Sequence, residues 1–269
     1  MTFSQLSKST RDAKKSERAK RARLLEKEKK FDSLKNEFEQ NRIILDIESK
    51  SKKVLAEVEP AFTSLLKPHQ VEGIKFLFNC SIESLERLNE EDKARRESCG
   101  GILAHCMGLG KTFQTIVFLS SILSNSAIKN RIRCVLIIVP LNVLQNWQVE
   151  FHKWFHFVGT ERKFKLFQLN TASRQGKRKV NNYFKCASDQ RAEQLNDWYQ
   201  QGGVLLITPN LLCRLLSTNR AKKKSDDFNK KDIYYKLLLD PGPDMVIIDE
   251  GHCLKNSDTD LNKSVKNFL

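Results

Sequence analysis

The chain changes character at about position 60, from sparse apolar residues in a charged background to dense, blocked apolar runs. Residues 11–50 are rich in Lys, Arg, Glu and Ala and contain neither Gly nor Pro, which predicts one long charged helix. Leu24, Phe31, Phe38 and Leu45 recur every seven residues, but the alternate seam positions Lys27, Asn41 and Glu48 are polar and only Leu34 supports a second row. That pattern argues against a stable coiled coil. It fits a solvent-facing helix that docks lightly on a core, or a linker. From about Leu65 the runs at 101–106, 134–139, 165–169, 203–208 and 244–248 read as strands. Helical spacing at 141–154 and 193–200 falls between them, giving a parallel sheet with crossover helices. Polar stretches at 85–98 and 217–232 read as surface insertions. The predicted organisation is a charged helical or linker segment over 1–60 and an α/β lobe over 61–269.

The chemistry concentrates where two of these runs end. Ile102-Leu-Ala-His-Cys-Met-Gly-Leu-Gly-Lys-Thr112 passes from apolar residues through a glycine-rich turn into a helical pattern carrying Phe113, Ile116, Val117, Leu119, Ile122 and Leu123. Glycines let successive backbone N–H groups curl around a phosphate, and the helix that follows adds its positive N-terminal end. In such a loop Lys111 reaches the outer phosphates and the Thr112 hydroxyl ligates magnesium. His105 stands where the general G-x-x-x-x-G-K-[ST] pattern has its first glycine. The second run, Met245-Val-Ile-Ile-Asp-Glu-Gly-His252, has four apolar residues suited to a strand buried on both faces. Its carboxylates fall at the strand's C-terminal end, where open α/β sheets bind ligands. There Asp249 can hold magnesium and Glu250 can orient and deprotonate an attacking water.

Other residues are candidates with two readings. Gln70, in Leu66-Lys-Pro-His-Gln70, offers the donor and acceptor that hold adenine's N6 and N7 edge, or simply caps a helix. Val139-Pro-Leu-Asn142 and Ile207-Thr-Pro-Asn210 are strand-end loops that either grip a nucleic-acid backbone or turn the chain. Trp147 and Trp154, seven apart on one helix, are expected to pack in the core rather than stack on bases.

Composition narrows the classes. No apolar stretch is long enough to cross a membrane, and the N-terminus lacks the apolar core of a signal peptide. Seven cysteines without a C-x-x-C pair speak against a disulfide framework or zinc cluster. Cys106 and Cys253 each adjoin a histidine but read as buried or loop thiols, in a reducing compartment. The net charge of +15 points to a polyanionic partner. Much of it lies in the runs at 14–23, 174–179 and 222–224, which read as solvated charge or, for the first, as a nuclear-import signal or DNA contact.

The ordered set Leu-Lys-Pro-His-Gln, Met-Gly-Leu-Gly-Lys-Thr, apolar-Pro, Asp-Glu-Gly-His and Leu254-Lys-Asn256 resembles the first motor lobe of the Swi/Snf-type chromatin-remodelling ATPases of helicase superfamily two. Most of that family has Asp-Glu ahead of Met-Gly-Leu-Gly-Lys-Thr. Here His105-Cys106 and Asp240-Pro-Gly-Pro-Asp244 are instead similar to the ATRX branch, as is the charged helix ahead of the motor. The resemblance implies a RecA-like lobe of a nuclear, DNA-dependent ATPase, a translocase that binds ATP and Mg2+ and tracks along duplex DNA in chromatin and nucleosomes. It assigns Gln70 to adenine, Met107, Gly108, Leu109, Gly110, Lys111 and Thr112 to phosphate, and Thr112 and Asp249 to the metal. Glu250 and Lys111 take the catalytic roles, and His252 links nucleotide state to DNA contact. The chain stops at Leu269, before the second lobe with its arginine finger. The expectation is therefore a truncated motor that hydrolyses ATP barely above background. A superfamily-two RNA helicase and a nucleotide-blind chromatin scaffold are the competing readings.

Overall fold

The computed structural model describes residues 8–34, 42–48, 51–89, 100–158, 164–169, 179–180, 183–184, 187–216, 233–256 and 258–266. They belong to two compact units, Met1–Ile128 and Lys129–Leu269.

In the first unit, helix α1 (Lys8–Leu34) is followed by an antiparallel pair, β1 (Ile44–Ile47) and β2 (Val54–Glu57). The single helix expected over 11–50 is thus corrected: its C-terminal part is a hairpin. The reason is local. Ile43, Ile44, Leu45 and Ile47 supply β-branched and apolar side chains, and pairing with β2 buries Ile44, Leu45 and Ala56. Next come α2 (Pro60–Thr63), α3 (Pro68–Ser81), α4 (Leu85–Asn89), α5 (Lys111–Ser124) and α6 (Ser126–Lys129). Both α2 and α3 open on proline, whose fixed φ suits the first helical turn. Helix α5 is buried on nearly every side, from Gln114 to Leu123, and packs against α3. Leu85 and Leu88 of α4 are also buried, so the start of the expected insertion at 85–98 belongs to the core; its remainder and the stretch 217–232 lie outside the described residues. The run at 101–106 is not a strand: it is irregular, and Ile102 is 85% exposed. An apolar run becomes a strand only where a neighbour completes its ladder, and none of the described strands pairs with it.

The second unit is an α/β layer. Its strands are β3 (Cys134–Ile138), β4 (Leu166–Gln168), β7 (Gly203–Ile207) and β8 (Met245–Ile248), with a small hairpin of β5 (Lys179–Val180) and β6 (Tyr183–Phe184) apart from them. The four strands are all parallel in the order β4-β7-β3-β8. Helices α7 (Leu141–Val158), α8 (Ala187–Gln201), α9 (Pro209–Leu216), α10 (233–238) and α11 (Asp260–Lys266) complete the unit. This is the parallel sheet flanked by helices of a RecA-like lobe. β3 and β7 are wholly buried, as their uninterrupted apolar runs require. Helix α7 buries Leu144, Trp147, Phe151 and Phe155, one face of a 3.6-residue period. Gly203 cannot be replaced: its φ is +115°, and a Cβ there would lie 2.3 Å from the Lys165 carbonyl oxygen. Met245–Ile248 is half-buried rather than buried on both faces, because β8 ends the described sheet with β3 as its one partner. Register is fixed at the start of the strand, where Asp244 accepts the backbone N–H groups of Arg133 and Cys134, each at 2.8 Å.

Candidate nucleotide site

Gln70 and Met107 to Thr112 belong to the first unit, and Asp249 and Glu250 to the second. The loop ahead of α5 is built on two glycines in the left-handed region, Gly108 (φ +82°) and Gly110 (φ +76°), the latter the N-cap of α5. Residues with a Cβ reach that region at a cost of roughly 1–2 kcal/mol, so the glycines let the backbone curl directly into the helix. The first turn of any helix leaves N–H groups without intrahelical partners, and here that turn begins at Lys111-Thr112. Lys111 Nζ donates to the carbonyls of His105 (2.9 Å) and Cys106 (3.1 Å), which holds the ammonium against the loop. Thr112 is half-buried in the same turn, while Met107 is 89% exposed at the loop's tip.

Two amides brace the loop from behind. Gln70 Nε2 donates to the Leu109 carbonyl at 3.3 Å, and Gln70 Oε1 accepts the Lys67 N–H at 3.0 Å, closing a capping box at the start of α3. Gln114 Nε2 donates to the same Leu109 carbonyl at 3.1 Å. Gln114 was not singled out from sequence. The signal for it is a buried amide in an otherwise apolar helix, which must find a partner. Helix α3 makes room through Gly73, where a Cβ would stand 1.9 Å from Gln114 Oε1 and 3.1 Å from His105 Cε1. The side chain of His105 thus packs behind the loop, its ring 6.4 Å from that of His69.

In the second unit, the N–H of Asp249 extends the β3–β8 ladder by donating to Ile138 O at 2.9 Å. Its carboxylate is held from two sides: Oδ1 accepts the Glu250 N–H at 2.9 Å, and Oδ2 accepts Trp147 Nε1 at 2.7 Å. Trp147 packs in the core as expected, yet its indole N–H fixes the candidate metal ligand. A buried indole usually bonds through its N–H, but its partner across 102 residues is not legible in a linear chain. Trp154 behaves differently, bonding Glu150 on its own helix. Glu250 adopts left-handed backbone angles (φ 54°, ψ 51°) and opens a 3-10 turn, Gly251–Leu254. Its exposed carboxylate pairs with His252 Nδ1 at 3.0 Å. Cys253, half-buried beside them, has its thiol pushed up by burial, with the charges of Glu250 and Asp249 adding to the effect. The proline loops after β3 and β7 are helix starts: Val143 donates to Pro140 O at 3.1 Å, and Pro209 is the first residue of α9.

A glycine-turned loop carrying Lys111-Thr112 thus lies in one unit, and a parallel strand ending in Asp249-Glu250 in the other. The comparisons give the family. The SNF2-related domain matches residues 69–269, and the chain belongs to that family. It is 34% identical over 259 residues to the Transcriptional regulator ATRX homolog of Drosophila melanogaster, covering 95% of this chain and 18% of the relative. Identity to Transcriptional regulator ATRX of Mus musculus is also 34%, over 84% of this chain and 8% of that protein. Helicase ARIP4 of Xenopus tropicalis is 34% identical over 78% of this chain and 16% of its own length. The chain thus spans less than a fifth of the length of these curated relatives. The resemblance to the ATRX branch stands, since ATRX and ARIP4 proteins match most of the chain.

Proposed function

We propose that this chain is the ATP-binding lobe of a DNA-dependent motor that works on duplex DNA in nuclear chromatin and nucleosomes. The observation that carries the reading is the loop at Met107 to Thr112, with its two left-handed glycines and a lysine held against its backbone at the mouth of a buried helix. That loop fits a polyphosphate. Gly108 adds a further point of fit, since no described atom lies within 4 Å of the position a Cβ would take. The hard oxygens of Thr112 and Asp249 fit Mg2+ over a softer metal. Magnesium, when bound, neutralises charge on the β- and γ-phosphate oxygens.

The residues then divide the work. The Lys111 ammonium exchanges its loop carbonyls for phosphate oxygens, and the N-terminal end of α5 faces the same charge. Gln70 reads adenine by giving up Leu109, so that base recognition and loop shape are linked through one amide. Trp147 keeps Asp249 pointed. Glu250 orients water at the γ-phosphate and takes its proton as phosphate leaves ADP, and His252, hydrogen-bonded to Glu250, passes nucleotide state toward DNA contacts. Support for DNA as the polymer comes from the SNF2-related family and the net charge of +15.

The test is binding by the chain itself. A fluorescent ATP analogue with Mg2+ and a mixed-sequence DNA duplex should both bind, and the duplex should outcompete single-stranded RNA of equal length. Preference for the RNA would favour an RNA helicase, and failure to bind nucleotide would leave only a scaffold role.

A further inference from the structure

Three basic side chains of helix α1, Lys20, Arg23 and Lys27, hold it in place. Lys20 Nζ donates to Cys80 O at 3.0 Å, and Arg23 forms an ion pair with Glu83, its Nη2 3.1 Å from Oε2. Lys27 goes deepest: its Nζ donates to Glu83 O at 2.6 Å, lies 3.2 Å from Asp46 Oδ1 and sits 4.9 Å from the Phe78 ring centroid. Asp46 is itself tied down, accepting the Leu85 N–H at 2.7 Å. Burial lowers the Lys27 ammonium's pKa, against the pull of Asp46 and Glu83. These docking residues, with Ser16 and Leu24, are the half-buried ones among the described side chains of the helix.

Docking also sets which way the other basic side chains face. At about 3.6 residues per turn, Arg11, Lys14, Lys15, Arg18, Arg21 and Lys29 all project from the face opposite Lys20, Arg23 and Lys27. All six are exposed. Between Arg11 and Lys29 the acidic residues Asp12, Glu17, Glu26 and Glu28 lie on the two flanks, and none of these described side chains is on this face. The result is a single-sign stripe roughly 27 Å long at about 1.5 Å per residue.

We infer that this stripe is a second polyanion-binding surface, and that its partner is the phosphate backbone of duplex DNA. The inference rests on the DNA reading above but assigns contacts outside the motor motifs. Duplex DNA carries one charge per about 1.7 Å of axis, so a rigid stripe of this length runs alongside many phosphates at once. An acidic protein is the poorer partner, because the face offers only Leu25 and Ala22 as apolar residues and no aromatic or buried anchor of the kind protein interfaces centre on. A membrane is poorer still, since the helix's other face is occupied by docking and leaves no apolar face to insert. Docking gives the stripe a fixed direction, which a loose charged tail lacks.

The experiment is a salt titration of binding to a mixed-sequence duplex longer than the stripe. It compares the unmodified chain with the fourfold variant Arg11→Gln, Lys15→Gln, Arg21→Gln, Lys29→Gln. A charge-matched control carries Lys222→Gln, Lys223→Gln, Lys224→Gln and Lys230→Gln. Each lost phosphate contact lowers the slope of log affinity against log salt by about 0.9. The stripe variant should therefore lose roughly 2–4 units of slope and the control clearly less. An unchanged slope, or equal losses in both variants, overturns the stripe while leaving nucleotide and duplex binding by the motor motifs standing. No duplex binding by the unmodified chain overturns the DNA reading as well. A second measurement needs no variant: acetylation footprinting of the unmodified chain should show Lys15 and Lys29 protected by duplex. Unprotected stripe lysines overturn the proposal independently of how the fourfold variant folds.

Discussion

Replacing Trp147 by Phe should weaken magnesium-dependent nucleotide binding although the indole is not expected to touch nucleotide. The bond from Trp147 Nε1 to Asp249 Oδ2 is 2.7 Å long, and Trp147 is only 4% exposed, so solvent is a poor substitute partner for the indole N–H. A hydrogen bond to a charged group contributes about 1.5–3 kcal/mol. Residues that orient a metal ligand typically alter metal affinity by roughly 10–100-fold, and the two ranges agree at about 1.4 kcal/mol per tenfold. Phe also leaves a smaller ring in the core, which must be separated from the lost bond. A double-mutant cycle of Trp147→Phe with Asp249→Ala, read by urea unfolding followed in the far ultraviolet, isolates the pair. The coupling should be about 1.5–3 kcal/mol. Titrating Mg2+ against nucleotide binding should then show the affinity loss in Trp147→Phe and none in Trp154→Phe, whose indole bonds Glu150 instead. A coupling near zero, or equal effects of the two tryptophan variants on magnesium, refutes the claim that Trp147 positions Asp249.

Three further outcomes follow from single contacts. Gly110→Ala should impair nucleotide binding more than Gly108→Ala: both glycines have positive φ, but only at Gly110 would a Cβ meet Gln70 Nε2, at 2.6 Å. Because Gln70 is also the proposed adenine reader, the brace is read by stability: adding Gln70→Ala should relieve part of the loss in urea-unfolding stability caused by Gly110→Ala, and no relief there would refute the brace. Cys106 is exposed in the loop, while burial and the charge of Asp244 push the Cys134 thiol up to about 11. Mass spectrometry after mild alkylation should therefore find Cys106 modified, shielded by ATP with Mg2+, and Cys134 untouched; labelling of Cys106 that ignores nucleotide would contradict the loop assignment. Burial pushes the Glu83 carboxyl up, but its bond to Arg23 and the nearby positive charges outweigh this and hold it below its ordinary 4.5. A carboxylate with a lowered folded pKa stabilises above its unfolded value and loses that contribution as pH falls through the folded one. Glu83→Gln should thus lower stability at neutral pH and have little effect well below 4.5; a penalty independent of pH would show that the ion pair with Arg23 is not its source.

What could be read from the sequence was what repeats a local rule. The uninterrupted apolar runs of β3 and β7 and the helical spacing of Leu144, Trp147, Phe151 and Phe155 declare themselves because burial acts on neighbouring residues. The glycines at 108 and 110 were legible for the same reason, since a left-handed turn leaves little choice of residue. The hairpin after α1 was not. Nothing in the composition of 11–50 breaks a helix, and the hairpin at its C-terminal part depends on β1 meeting β2. The run at 101–106 reads as a strand by hydrophobicity alone, but a strand also needs a partner, which the run cannot specify. Trp147 and Asp249 lie too far apart in sequence for their bond to leave any local mark. Gln70 showed its amide but not its position, bridging Lys67 and Leu109.

The central claim is that Lys111 and its loop hold the phosphates of ATP while Glu250 acts on water, and one measurement addresses it most directly. Equilibrium binding of a fluorescent ATP analogue with Mg2+ should be compared across the unmodified chain, Lys111→Ala and Glu250→Gln. The account predicts saturable binding by the unmodified chain, loss of most affinity in Lys111→Ala with the fold intact by circular dichroism, and retained affinity in Glu250→Gln. Near-normal binding by Lys111→Ala, or equal loss in both variants, would contradict it.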